Sequence, residues 1–165
     1  MRHRVFIAIN LPEDIKKTLV KYQEKWPELP VRWTKKDNLH ITLEFLGYVS
    51  NDELANVLEK TKELSLKHQP FSIILNKICY GPPKKMPPRM VWVCGEKIEE
   101  FNLFPHITLG RIRVWEFRKI EPEERPAVDE EINLTFKVKS IEVMESVLKR
   151  GGPNYTILKS CPLKS

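Results

Sequence analysis

Little in this chain marks it as a metalloenzyme, a disulfide-stapled secreted protein or a membrane protein. It has three cysteines, Cys79, Cys94 and Cys161. An odd number with no CxxC pair argues against a disulfide framework and a zinc site, and suits a reducing, cytoplasmic setting. There is no HExxH and no carboxylate set at ligand spacing, so neither a metal nor any other cofactor is expected. No stretch approaches the ~20 apolar residues of a membrane helix. The opening MRHRVFIAIN is basic, but its apolar run is too short for a signal peptide. Histidine is scarce as well, at four in 165 residues.

Two of those four histidines lie in a repeated tetrapeptide, His40-Ile41-Thr42-Leu43 and His106-Ile107-Thr108-Leu109. Even the looser pattern His-x-Thr occurs twice by chance on the order of 1 % of the time at this histidine content. A single such motif is usually an idle surface pair; its duplication reverses that weighting, because core packing does not require His and Thr at matched places. His3 and His68 lack the motif and read as surface residues. The net charge of +6 leans toward an anionic partner such as RNA, although many basic proteins bind none.

The rest of the chain reads as two half-similar units in one domain, 1–165, expected to be a monomer. In the first, Val5 to Ile9 is a strand, and Pro12-Glu13-Asp14 opens a helix whose apolar face holds Ile15, Leu19, Tyr22 and Trp26, stopped by Pro27 and Pro30. A short strand at 31–34, a polar turn and a strand from Leu39 to Leu46 follow. Ser50 or Asn51 then caps a second helix. In the second unit, strands are expected at 71–80, 90–94 and 106–111, separated by the Pro-rich cationic loop 81–89. Residues 121–131 read as a surface loop. Residues 133–147 alternate with a phase slip near Lys139-Ser140, which suggests a bulge or bend. Trp33, Trp92 and Phe45 read as core rather than base-stacking surfaces.

One interval does not match. The first unit has room for a full helix between its opening strand and His40; the second leaves only Gly95 to Pro105 before His106. Either the second helix is lost or a segment is absent near 96–104, and loop-length expectations favour the latter.

Alternation along a strand points His40 and Thr42 one way and Ile41 and Leu43 the other, and likewise in the second motif. Two units packed about a pseudo-twofold axis would then face two imidazoles across a groove. Imidazole titrates near ~6.5, so one ring can accept a proton while the other donates. Thr hydroxyls can donate to phosphate oxygens. Arg111 lies five residues after His106, off its face in strict alternation unless the strand bends.

With these residues in place, the chain resembles the 2H phosphoesterases, named for two HxTx motifs, and among them the RNA 2′,3′-cyclic phosphodiesterases long labelled 2′-5′ RNA ligases. The likeness runs through VFIAINLPED, VRWTKKDNLHITLEFLG, MVWVC, FPHITLGRIR and GGPNYTIL. It thins after Cys94, where the family carries a helix and this chain is short. The resemblance implies an α+β fold of two pseudo-symmetric lobes, with antiparallel sheets lining a central cleft and helices outside. It implies metal-free hydrolysis of RNA 2′,3′-cyclic phosphate ends to 2′-phosphates, with His40 as proton donor, His106 as acceptor, and Thr42, Thr108 and Arg111 on the phosphate. Reverse 2′-5′ ligation is a related activity. Two alternatives stay open: a cyclic phosphodiesterase of small nucleotides, and a non-catalytic module that binds RNA ends.

Overall fold

The computed structural model describes residues Met1–Ser165. In chain order it contains β1 (Arg2–Asn10), α1 (Glu13–Gln23), β2 (Val31–Trp33), β3 (His40–Ser50), α2 (Asn51–Ser65), β4 (Phe71–Gly81), β5 (Met90–Gly95), β6 (His106–Ile112), α3 (Val114–Arg118), β7 (Asp129–Val138), β8 (Ser140–Lys149) and β9 (Gly152–Pro162). The nine strands form one antiparallel sheet in the order β7-β4-β5-β6-β3-β1-β8-β9, with β2 beside β6. Read from the centre outward the order is two-fold: β6 answers β3, β5 answers β1, β4 answers β8 and β7 answers β9. The lobes meet where Ile41 of β3 pairs with Ile107 of β6. The expected antiparallel sheets of the two lobes are joined edge to edge at this one pair, so that the nine strands run as a single sheet stitched at its middle by the two motifs.

The alternating stretch 133–147 is not a single bent strand. β7 ends at Val138 and β8 begins at Ser140; β7 pairs with β4 at one edge of the sheet, while β8 pairs with β1 near the other. The phase slip marks a crossing between lobes, since each strand buries the face its new neighbour requires. The expected loop 121–131 is likewise shortened, because β7 starts at Asp129.

Local chemistry explains the helices. Glu13 and Asp14 sit in the first turn of α1, where the positive helix end favours them. The helix ends at Gln23, short of Pro27, so Trp26 lies beyond it; its indole N–H donates to the Ala127 carbonyl at 3.1 Å. Ser50 caps α2 in a reciprocal box: the Glu53 N–H donates to Ser50 Oγ at 3.2 Å, and the Ser50 N–H to Glu53 Oε1 at 3.1 Å. Ile15 and Leu19 of α1 join Ile41, Ile107 and Leu109 in the main core. Fully burying a side chain such as Leu19 contributes about 1.5–3 kcal/mol. Leu54, Val57 and Leu58 of α2 cover Val5, Val49 and Val143. The helices therefore cover one face of the sheet centre, and the residues alternating with these aliphatics look the other way.

Between β5 and β6 the chain turns without a helix. Ile98 and Leu103 exchange backbone hydrogen bonds of 2.7 and 3.1 Å, a single 3-10 turn spans Glu99–Phe101, and Asn102 closes it at φ 50°. Ile98 is buried, and Phe101 packs on the core beside His68. No helix of the chain is long and apolar enough to cross a membrane.

Candidate active site

Ile41 and Ile107 are both fully buried, so their neighbours His40, Thr42, His106 and Thr108 project from the opposite face. Extending the antiparallel register by one residue sets His40 level with Thr108 and Thr42 level with His106. All four residues line one cavity of about 480 Å³, together with Arg111. The five residues singled out in the sequence are thus brought together.

Arg111 arrives by a device that alternation does not reveal. On β6, Thr108 pairs with Trp92 and Gly110 with Val91, leaving Leu109 as an extra residue opposite a single step of β5. This bulge rephases the strand, so Arg111 shares the face of His106 and Thr108. The first motif does the same: on β3, Thr42 pairs with Ala8 and Glu44 with Ile7, leaving Leu43 extra. Phe45 then lines the cavity in place of Glu44. The fourth residue of each HITL is the bulged one, and the fifth position after each histidine is delivered into the cleft. One is a guanidinium, the other an aromatic ring that is 55 % exposed. Phe45 is therefore part of the cleft wall rather than core. Gly110 is needed beside the second bulge, because a Cβ there would lie 2.4 Å from Val31 Cγ1 and 2.8 Å from Trp33 Cε3.

The two imidazoles differ. His40 Nδ1–H donates to the Asn38 carbonyl at 2.7 Å, which fixes the tautomer, and the Thr42 hydroxyl lies 2.9 Å from Nε2. Phe6 and Tyr155 flank the ring at centroid distances of 5.0 and 5.1 Å. Burial holds its pKa below the ordinary value, partly opposed by the Asn38 carbonyl. His106 makes no side-chain hydrogen bond; it is stacked on Trp92 at 4.2 Å and 22°. The ring is exposed on the cleft side, and the partial desolvation it does have lowers its pKa. Trp92 is in turn pressed against Gly81, where a Cβ would come within 2.3 Å of the indole. Thr108 and Arg111 both reach Met90 Sδ at 3.8 Å.

Sequence reasoning missed the remaining wall. Thr34 donates from its hydroxyl to the Thr108 carbonyl at 2.8 Å and from its N–H to the Leu109 carbonyl at 3.0 Å, which ties β2 to the second motif. Asn38 donates from its side-chain amide to the Pro153 carbonyl at 2.8 Å, which brings the β8–β9 turn over the cleft. These contacts join segments far apart in the chain, and no local signal foretells them. His3, read as an idle surface residue, is largely covered, with Nδ1 2.6 Å from Glu145 and Nε2 2.7 Å from Asn51. It lies outside the cleft, as does His68. Arg4, Arg32, Lys35 and Arg111 line the cavity and no Asp or Glu does, so it is built for an anion. No cluster of three or more His, Cys, Asp or Glu side chains is arranged as a metal site.

Known proteins share this architecture. A solved structure from Thermus thermophilus superposes with a TM-score of 0.84 at 26 % identity, covering 98 % of both chains. Escherichia coli LigT complexed with phosphate superposes at 0.76 with 26 % identity over 99 % of each chain. A Methanocaldococcus jannaschii protein named RNA 2′,3′-cyclic phosphodiesterase is 30 % identical, across 94 % of this chain and 98 % of its own length. That alignment runs over 176 positions, so the relative carries residues with no counterpart among the 165 here. A Thermotoga maritima protein of the same name is 28 % identical over 96 % of this chain and 94 % of its own. The LigT-like phosphoesterase model matches residues 9–92, a span that holds the first motif, while the second motif stands opposite it in the same cleft. Paired HxTx strands, their matched bulges and these likenesses converge: the chain belongs to the LigT-like phosphoesterases of the 2H superfamily.

Proposed function

We propose that this chain hydrolyses the 2′,3′-cyclic phosphate at the end of an RNA strand to a 2′-phosphate, using His40 and His106 for proton transfer and no metal. The observation that carries this reading is the placement of both imidazoles on one sheet face, either side of the Ile41–Ile107 pair, in a cationic cleft. Water attacks phosphorus in line with O3′, and the P–O3′ bond breaks. His106, free of hydrogen bonds, takes the proton from water. His40, whose Nδ1–H is committed to the Asn38 carbonyl, gives its Nε2 proton to the departing O3′. Thr42, Thr108 and Arg111 donate to the non-bridging oxygens as charge builds on them. Phe45, with Phe6 stacked behind it at 6.5 Å, offers a flat wall for the terminal base. Both imidazoles are present in the cleft, which favours catalysis over RNA-end binding alone.

The test is an oligonucleotide ending in a 2′,3′-cyclic phosphate, with the product's mass and isomer read out in the presence and absence of EDTA. A 2′-phosphate formed at the same rate in both is expected. No product from folded protein would remove the enzymatic reading, and loss of activity in EDTA the metal-free one.

A further inference from the structure

Arg32 of β2 and Arg111 of β6 are directly paired across the two strands, on the face that lines the cleft. Like charges in that position repel. Neither guanidinium has a carboxylate partner, although five ion pairs are present elsewhere in the chain. Arg32 is instead held against the β8–β9 turn, where a Cβ on Gly152 would come within 2.4 Å of its Nη2; at φ 123° that position already favours glycine. The fold thus keeps an unpaired arginine beside the phosphate site and clears a glycine turn to seat it.

The reacting group cannot use all of this charge. A 2′,3′-cyclic phosphodiester carries one negative charge and two non-bridging oxygens, and Thr42, Thr108 and Arg111 already supply donors to those. Arg4, Arg32 and Lys35 are left over: Arg4 lies over the Phe45 ring, Lys35 follows the end of β2 at Trp33, and Arg32 alone stands on β2 directly beside Arg111. Repulsion between Arg32 and Arg111 is best relieved by two anions in succession. We propose that Arg32 binds the phosphate on the 5′ side of the terminal nucleotide, so that the site takes the end of a polynucleotide in preference to a free cyclic nucleoside phosphate. This rests on the cyclic-phosphodiesterase reading above.

The experiment compares kcat/KM for two dinucleotides that both end in a 2′,3′-cyclic phosphate. One has an ordinary internucleotide phosphate, the other a neutral methylphosphonate of nearly the same shape. The protein is expected to prefer the charged dinucleotide by about tenfold, the scale of one charge-assisted hydrogen bond. Arg32→Ala is expected to bring that ratio to about one, and Arg32→Lys to restore part of it. Loss of folded protein scales both rates equally, so the ratio reports on the folded variant alone. A ratio unaltered by Arg32→Ala overturns the assignment. So does a nucleoside 5′-phosphate 2′,3′-cyclic phosphate that reacts faster than the charged dinucleotide, since the second phosphate would then belong to a free nucleotide. Failure of the protein to act on any cyclic phosphate would instead remove the underlying reaction.

Discussion

His40 and His106 occupy the same place in the same four residues, yet the fold gives them opposite surroundings. His40 is clamped between a backbone carbonyl and a threonine hydroxyl, with Phe6 and Tyr155 around it. His106 has only the flat face of Trp92. A repeated motif therefore yields one ring with a fixed tautomer and one ring free to accept. Position five after each histidine repeats the lesson: the matched bulges deliver an aromatic, Phe45, on one side and a cation, Arg111, on the other. The pseudo-symmetry builds the cleft, and the departures from it polarise the cleft.

The largest expected effect comes from removing either imidazole. His40→Ala and His106→Ala should each lower kcat by roughly 10²–10⁴-fold on an RNA cyclic phosphate. A phosphodiester with a nitrophenolate leaving group needs no general acid, so with it His40→Ala should retain most activity and His106→Ala should not. Equal losses on both substrates would break the proposed division of labour.

The two fifth positions come next. Arg111→Ala should lower kcat by about 10²-fold, as expected for a donor to developing negative charge. Phe45→Ala should mainly raise KM, by about tenfold, through the loss of roughly 1–3 kcal/mol of stacking. Gly110→Ala should behave like an Arg111 defect with added instability, because its new methyl displaces Val31 and Trp33 and disturbs the bulge. A matching kcat loss in the Gly110 and Arg111 variants, with lower thermal stability only in the former, would support this.

The pH profile should show a smaller effect of the same asymmetry. Burial lowers both imidazole pKa values, so the kcat/KM bell should peak below ~6.5. A base must be neutral and an acid protonated; lowered values keep the base active to lower pH and discharge the acid sooner as pH rises. Trp92→Ala uncovers His106 and should raise its pKa toward the ordinary value. The acidic limb, set by the base, should then move to higher pH while the alkaline limb stays. Proton NMR titration of the His106 ring reads the same shift directly, and movement of the alkaline limb instead of the acidic one would reverse the assignment of acid and base.

The smallest effect contrasts the connections. The first motif is reached through α1, the second through the turn closed by Asn102 at φ 50°. Asn102→Ala should cost about 1 kcal/mol, read by thermal unfolding, since only glycine and asparagine-like residues occupy that region cheaply.

Strand alternation makes His40, Thr42, His106 and Thr108 legible as a site, and the Ser50 cap makes α2 legible, because both signals are local and periodic. Arg111 and Phe45 were obscured by bulges, which insert a residue without leaving any period to detect. The break at Lys139 was visible only as a slip; that it carries the chain from one edge of the sheet to near the other depends on pairing with β4 and β1, at least fifty residues away in one case and over a hundred in the other. Trp92 read as core because an aromatic between valines packs equally well under a helix or over a histidine.

The sequence alone determined the paired HITL histidines, the start of α2 at Ser50 or Asn51 and the near-repeat of two units, since each depends on residue identity at short spacing. The tertiary structure decided which imidazole is clamped, which side chain each bulge presents, and that Arg32 stands unpaired opposite Arg111. Those outcomes depend on register between distant strands, where a shift of one residue would exchange Phe45 for Glu44 and Arg111 for Gly110, adding a carboxylate to the cleft and removing one of its four cations.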